Sequence, residues 1–215
     1  MMTIAPELEG GLQKISELVQ AGVVAALGHT DASYEQAGQG FGAGISHVTH
    51  LFNAMPPIHH RNPGAITAVL NNRQVTAQII SDGVHLDGPV VDLVFRTLGP
   101  ERCILITDGL QATGLPDGIY SYDGKQYENK NGTCRYPDGT LIGSTLSLMQ
   151  IAQRFRSFTG CSLKTAIDCA SLYPARVLGL EHCKGSVEVG KDADLVIWNE
   201  DFSVHTTMVD GRVLA

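Results

Sequence analysis

Four ionisable residues follow short apolar runs at the same relative place. Val23–Leu27 runs into Gly28 and His29, and Ile45–Thr49 into His50. Val75–Ile80 leads through Asp82 and Gly83 to His85, and Cys103–Thr107 leads to Asp108. Three imidazoles and one carboxylate suit an imidazole-bound metal with a carboxylate nearby. Each has a plainer reading. A single histidine after a strand is more often a turn or core residue than a ligand, and an aspartate there can cap the next segment. Four in succession are harder to dismiss. His47 lies three residues before His50, so on a strand the two point to opposite faces. His59 and His60 fall in a Pro-rich loop, and His182 and His205 in the C-terminal part, where solvated roles are expected. Beyond His50, the side chains of Asn53 and Arg61 and the backbone near Ala54 offer donors that can hold an anion, Arg giving the two-pronged geometry that suits phosphate. A solvated loop is the competing reading.

These residues meet only if the strands that release them end at one place. The apolar runs Thr3–Pro6, Val23–Leu27, Ile45–Leu51, Val75–Ile80 and Cys103–Thr107 read as strands alternating with helices, the signature of βα units and a parallel sheet. The helices are expected around Leu12, Ile15, Leu18 and Val19, then over Tyr34–Phe41, Gly64–Leu70 and Pro89–Leu98. In a (β/α)8 barrel all strand C-termini converge on one mouth, the default active site. Residues 111–142 change character, with Asp123-Gly124, Asn131-Gly132 and Asp138-Gly139 marking hairpin turns. A long helix is expected over Ser144–Phe158, another from a Ser162 cap through Ala170, and a further turn over Pro174–Leu178. The tail returns to strands at Ser186–Val189, Asp194–Trp198 and Thr206–Leu214, the last broken at Asp210-Gly211.

Composition narrows the partners. The 215-residue chain carries 15 Lys+Arg against 22 Asp+Glu, a net charge of −7 without a basic run, which argues against a nucleic-acid footprint. The N-terminus lacks the basic-then-apolar pattern of a signal peptide, and Ala21–Leu27 is far short of the roughly 20 residues of a membrane span. Five scattered cysteines with no C-x-x-C pair fit a reducing cytoplasm.

The stretches Thr3–Glu7, Gly28–Ala32, Thr49–Pro56, Ser81–Asp87, Ile106–Asp108, Leu141–Ser144 and Leu172–Arg176 together resemble the N-acetylglucosamine-6-phosphate deacetylase family of the amidohydrolase superfamily. The run His50–Met55 is specific to the deacetylases, whereas Gly190–Val196 with Val209–Arg212 marks the superfamily's return into a small β-sandwich. The resemblance implies an α/β fold: the C-terminal part, about five of eight strands, of a metal-dependent hydrolase TIM barrel. The barrel would take residues 1–184, with a hairpin excursion near 118–142, and the sandwich strands 185–215. It implies His29 and His50 as metal ligands, His85 against the substrate's acetamido group, and Asp108 as the general base that becomes the general acid. Asn53, Ala54 and Arg61 would hold the sugar phosphate, with the Leu141–Gly143 backbone, Ile142 included, close to the substrate. The cofactor would be a divalent metal, zinc first, with iron, manganese or cobalt as alternatives. A homo-oligomer, dimer or tetramer, follows from the same likeness.

Two features depart from the family pattern. Its acidic metal ligand, a Glu in a His-x-Glu-Gly-Pro stretch, and its His-x-His pair do not occur in this sequence, and Glu7 belongs to a different motif. The chain therefore resembles the C-terminal portion of a longer enzyme. Two ligands fall short of the three that catalytic zinc usually takes, so weak metal binding and little activity are expected of these residues alone. An open five-stranded sheet would also leave unpaired edges.

Overall fold

Strands whose residues are apolar on both faces must be covered on both faces, and helices do the covering. The structure, a computed structural model, describes residues 1–214. β1 (Met2–Ile4), β2 (Ala25–Leu27), β3 (His47–Val48), β4 (Thr76–Ile79) and β5 (Cys103–Leu105) form one parallel sheet in the order of the chain, with β1 and β5 at its edges. Thr3 lies opposite Ala26, Leu27 opposite Val48, and Ile79 opposite Leu105, so the strands finish along one border. Four helices alternate with them: α1 (Gly11–Gln20), α2 (Tyr34–Gly42), α3 (Gly64–Asn71) and α4 (Gly88–Leu98). This α/β arrangement is the one expected of consecutive barrel units. Ile15, Leu27, Val48, Ile66, Val69, Ile79, Val91, Val94 and Phe155 are buried together in its core.

Local chemistry sets where the helices begin. Ser33 and Gln36 exchange side-chain and backbone bonds at the start of α2, a reciprocal cap that satisfies two otherwise orphaned donors. The same exchange between Ser147 and Gln150 starts α5 (Leu148–Thr159), and Ser162 caps α6 (Leu163–Ala170); α7 (Leu172–Val177) follows. The helix expected from Ser144 thus starts later, because Leu141–Ser144 is a strand. It is β9, the last of a four-stranded antiparallel sheet with β6 (Gly118–Tyr122), β7 (Lys125–Lys130) and β8 (Thr133–Arg135). Asp123-Gly124 and Asn131-Gly132 turn two of its hairpins with left-handed φ at both residues, the twist a tight hairpin needs.

The parallel strands are shorter than their apolar runs. Val23 bonds back to the carbonyl of Leu18 and closes α1 instead of joining β2. The tail forms a three-stranded antiparallel sheet of β10 (Leu195–Trp198), β11 (Val204–Val209) and β12 (Arg212–Leu214). The strand expected at Ser186–Val189 is not formed: Val187 and Val189 are exposed, and Ser186 bonds Glu188 and Lys191 within a loop. Lys184 ties that loop to Asp192 and Asp194. No helix among the described residues is long and apolar enough to cross a membrane.

Candidate active site

Beyond the sheet's C-terminal border the backbone turns sharply, and it does so at the residues the sequence singled out. His29, His50 and Asp108 have φ of 49°, 26° and 48°. Left-handed backbone is sparsely populated by residues with a side chain and costs on the order of 1–3 kcal/mol at each position, so it persists only where neighbours enforce it. The enforcing contacts are visible. His50 N–H donates to Gln78 Oε1 at 3.2 Å, and Leu51 N–H to the Gln78 carbonyl at 2.9 Å, so one β4 residue holds the turn with both its side chain and its backbone. Thr30 N–H donates to the Ala54 carbonyl at 3.1 Å and joins the loops that carry His29 and His50. Beneath them, a Cβ on Gly28 would lie 2.8 Å from Thr49 Cβ and 2.9 Å from Thr3 Cγ2, so only glycine lets these strands close up.

The result is a pair of imidazoles meeting edge on. The Nε2 atoms of His29 and His50 are 2.8 Å apart, with ring planes at 71°. Burial, reinforced by His29, holds the His50 imidazole below its ordinary range despite the opposing pull of Asp108, which favours the neutral ring that a metal needs. His50 Nδ1 is buried without a partner. Two nitrogens each about 2.0–2.1 Å from one tetrahedral zinc lie about 3.3–3.4 Å apart, so the pair can share one ion once the two rings part by about half an ångström. Among the described residues no group of three or more His, Cys, Asp or Glu gathers as a ligand cluster. Glu7 is committed elsewhere: its carboxylate accepts from Thr30 Oγ1 at 2.6 Å and from Asp31 N–H at 2.7 Å.

His85 reaches the same region from β4. Its Nε2 lies 3.9 Å from Asp108 Oδ2, and its Nδ1 lies 2.6 Å from Asp82 Oδ2. Asp82 also accepts the backbone N–H groups of Val84 and His85 at Oδ1, at 2.9 and 2.7 Å. Burial alone would raise the Asp82 carboxyl; the hydrogen bonds from the His85 ring and the two amides outweigh it and hold the group below the usual carboxylate range. Asp108 is pinned from the other side. Its carbonyl accepts Ser144 N–H at 2.9 Å, Leu110 N–H donates back to the Ser144 carbonyl at 3.1 Å, and Ser144 Oγ donates to the Thr107 carbonyl. Gly143 makes this possible: its φ is 148°, and a Cβ there would lie 2.6 Å from the Asp108 carbonyl oxygen. Leu141 and Ile142 are half-buried on the same strand.

The loop beyond His50 is less gathered. Asn53 Nδ2 donates to the carbonyls of His50 and Leu51, at 3.3 Å each, and Ala54 is itself left-handed at φ 51°. Arg61 is exposed, and its guanidinium meets His60 Nε2 at 2.7 Å. His59, His60, His182 and His205 are exposed as well, whereas His47 is buried. Sequence reasoning passed over Gln78, Asp82 and Ser144 as site residues. Asp82 carried a readable signal, a short acceptor just past a strand and before Gly83, where an Asx turn is favoured.

Residues 8–214 match the amidohydrolase family. Over 213 residues the chain is 39% identical to N-acetylglucosamine-6-phosphate deacetylase of Bacillus subtilis, a match that covers 99% of this chain and 54% of that protein. It is 36% identical to N-acetylgalactosamine-6-phosphate deacetylase of Escherichia coli O157:H7, covering 99% and 56% of the two chains. A variant of N-acetyl-D-glucosamine-6-phosphate deacetylase from Mycobacterium smegmatis, solved in complex with N-acetyl-D-glucosamine-6-phosphate, is 39% identical and superposes with a TM-score of 0.92. That superposition covers 98% of this chain and 56% of the other. The chain thus spans about half the length of the curated relatives it matches.

Proposed function

The chain belongs to the amidohydrolase family, and from that premise we propose that it hydrolyses the acetamido group of N-acetylglucosamine 6-phosphate, giving glucosamine 6-phosphate and acetate. The observation that carries this reading is the convergence at one border of the sheet: the His29 and His50 Nε2 atoms at 2.8 Å, beside the chain of contacts Asp82, His85, Asp108. An amide is a poor electrophile with a poor leaving group, so its hydrolysis needs a polarised carbonyl, an activated water and a proton for the departing amine. His29 and His50 would hold a divalent ion, zinc first and iron, manganese or cobalt as alternatives, which supplies Lewis-acid polarisation when bound. Asp108 takes the proton of the attacking water and returns it to the leaving nitrogen. His85 meets the acetamido oxygen as charge develops there. Asn53, Ala54 and Arg61 hold the sugar phosphate, and Leu141 and Ile142 line the sugar.

With two imidazoles and no third ligand among the described residues, the ion is held weakly by these residues, which favours a second reading: a chain with little turnover by itself. Five free cysteines support a reducing cytoplasmic setting, and assembly as a homo-oligomer is part of the proposal. The test is acetate release by the purified chain with added zinc, from N-acetylglucosamine 6-phosphate, its galacto epimer and unphosphorylated N-acetylglucosamine. The proposal expects release from the first, and Arg61→Ala should raise KM for the phosphorylated sugar while hardly altering that for the neutral one. No acetate from any substrate, with zinc, cobalt or manganese, would leave the second reading standing.

A further inference from the structure

We propose that Asp82 is a positioning residue that fixes the tautomer of His85, keeping a proton on Nδ1 so that Nε2 faces Asp108 as a bare acceptor whenever the ring is neutral. The inference rests on the deacetylase reading for its consequence, not for its geometry. Both oxygens of Asp82 are committed: Oδ1 to the N–H groups of Val84 and His85, and Oδ2 to the His85 ring at 2.6 Å. An ionised carboxylate only accepts hydrogen bonds, so the ring nitrogen facing it must be the one that donates. Water cannot compete, because the Asp82 and His85 side chains are 1% and 4% exposed.

The loop is also braced from behind. Ser81 Oγ donates to the Ile151 carbonyl at 2.9 Å, and the Arg154 guanidinium donates to the Asp82 carbonyl, both from α5. Asp82 therefore cannot swing away to let the ring turn over. It follows that His85 can donate from Nε2 to a reactant's oxygen only as the doubly protonated ring, with Asp82 on one side and Asp108 on the other. A neutral His85 is unable to stabilise a developing oxyanion in this site.

Asp82→Asn separates this role from a structural one. The amide oxygen can take the Oδ1 position and keep both backbone bonds, while the amide NH2 takes the Oδ2 position and offers a donor to Nδ1. The ring meets that donor only with Nδ1 bare and Nε2 protonated, so the variant should invert the tautomer with the loop in place. The full chain labelled with 15N-histidine, read by two-bond 1H–15N correlation at pH 8, reports this directly; His85→Gln assigns the signal.

The expected result is a protonated Nδ1 in the wild-type protein and a protonated Nε2 with bare Nδ1 in Asp82→Asn. A wild-type ring with bare Nδ1, or the same pattern in both proteins, overturns the proposal. If the variant does not fold, the wild-type spectrum decides by itself. Where the zinc-supplemented chain releases acetate, Asp82→Asn should lower kcat by about 10²-fold or more with KM little changed, the scale of a misdirected acid–base group. A chain that releases none leaves the low-turnover reading of its function standing, and the tautomer is then decided by the spectrum alone.

Discussion

His47 is a buried base whose second proton is disfavoured by burial, and acid should find it. Its ring is 1% exposed on β3, Nδ1 meets Thr76 Oγ1 at 2.6 Å, and Nε2 has no partner. Burial pushes the imidazole down to about 4, against about 6.5 for a free histidine. Between those values the unfolded chain binds a proton that the folded chain refuses. The stability His47 allows is therefore complete above pH 6.5 and falls as the pH drops toward 4. At 1.36 kcal/mol per unit, the loss relative to pH 8 is about 2 kcal/mol at pH 5 and about 3 kcal/mol at pH 4. His47→Phe removes the titration while keeping a ring of similar size, and Thr76 Oγ1 retains its contact with the Ser46 carbonyl. Urea unfolding of both proteins at pH 8 and pH 5 isolates the effect, because every other group titrates in both. The wild-type protein should lose about 2 kcal/mol more than the variant over that interval. Equal losses would mean that His47 takes up its proton inside the folded chain, and the burial argument would be refuted.

Asp108→Asn should lower kcat for acetate release by about 10²–10⁴-fold with KM little changed, as expected for a lost proton carrier; steady-state rates equal to wild type would remove Asp108 from that role. Gly143→Ala forces a Cβ toward the Asp108 carbonyl at a φ of 148° and should cost about 1–3 kcal/mol in urea unfolding together with activity. An unchanged urea midpoint would show that β9 does not constrain Asp108. In calorimetric zinc titrations, His50→Ala should weaken binding by more than the roughly 10–100-fold that outer-shell changes cost, whereas His59→Ala, at an exposed loop position, should not. Equal effects of the two would place the ion elsewhere.

The parallel strands were legible because each is an apolar run between turn residues, and the release of His29, His50, His85 and Asp108 at their ends could be read from position alone. Strand length was not legible, because Val23 is as apolar as Ala25 yet is spent on closing α1. The tail misled for the opposite reason: Ser186–Val189 has the alternation of a strand, but its valines find no sheet to pack on and remain exposed. The helix expected from Ser144 starts too early, because Ser144 closes the strand Leu141–Ser144, although Ser147 and Gln150 spell a capping box that marks the helix start correctly. Gln78 and Ser144 escaped as site residues because each acts on a partner distant in the chain, which single-sequence patterning does not register; Asp82, which bonds Val84 and His85 just beyond it, escaped although its turn position was readable.

The sheet's strand order follows the chain's own order, so a polypeptide leaving the ribosome finds each new strand's neighbour already made. The groups that aim the chemistry do not share this order. Asp108 is held by Ser144, and the Asp82 loop by Ile151 and Arg154, all translated later. During its own synthesis the protein therefore possesses a scaffold before the proposed site is braced, and its histidines emerge well ahead of the contacts that give them direction.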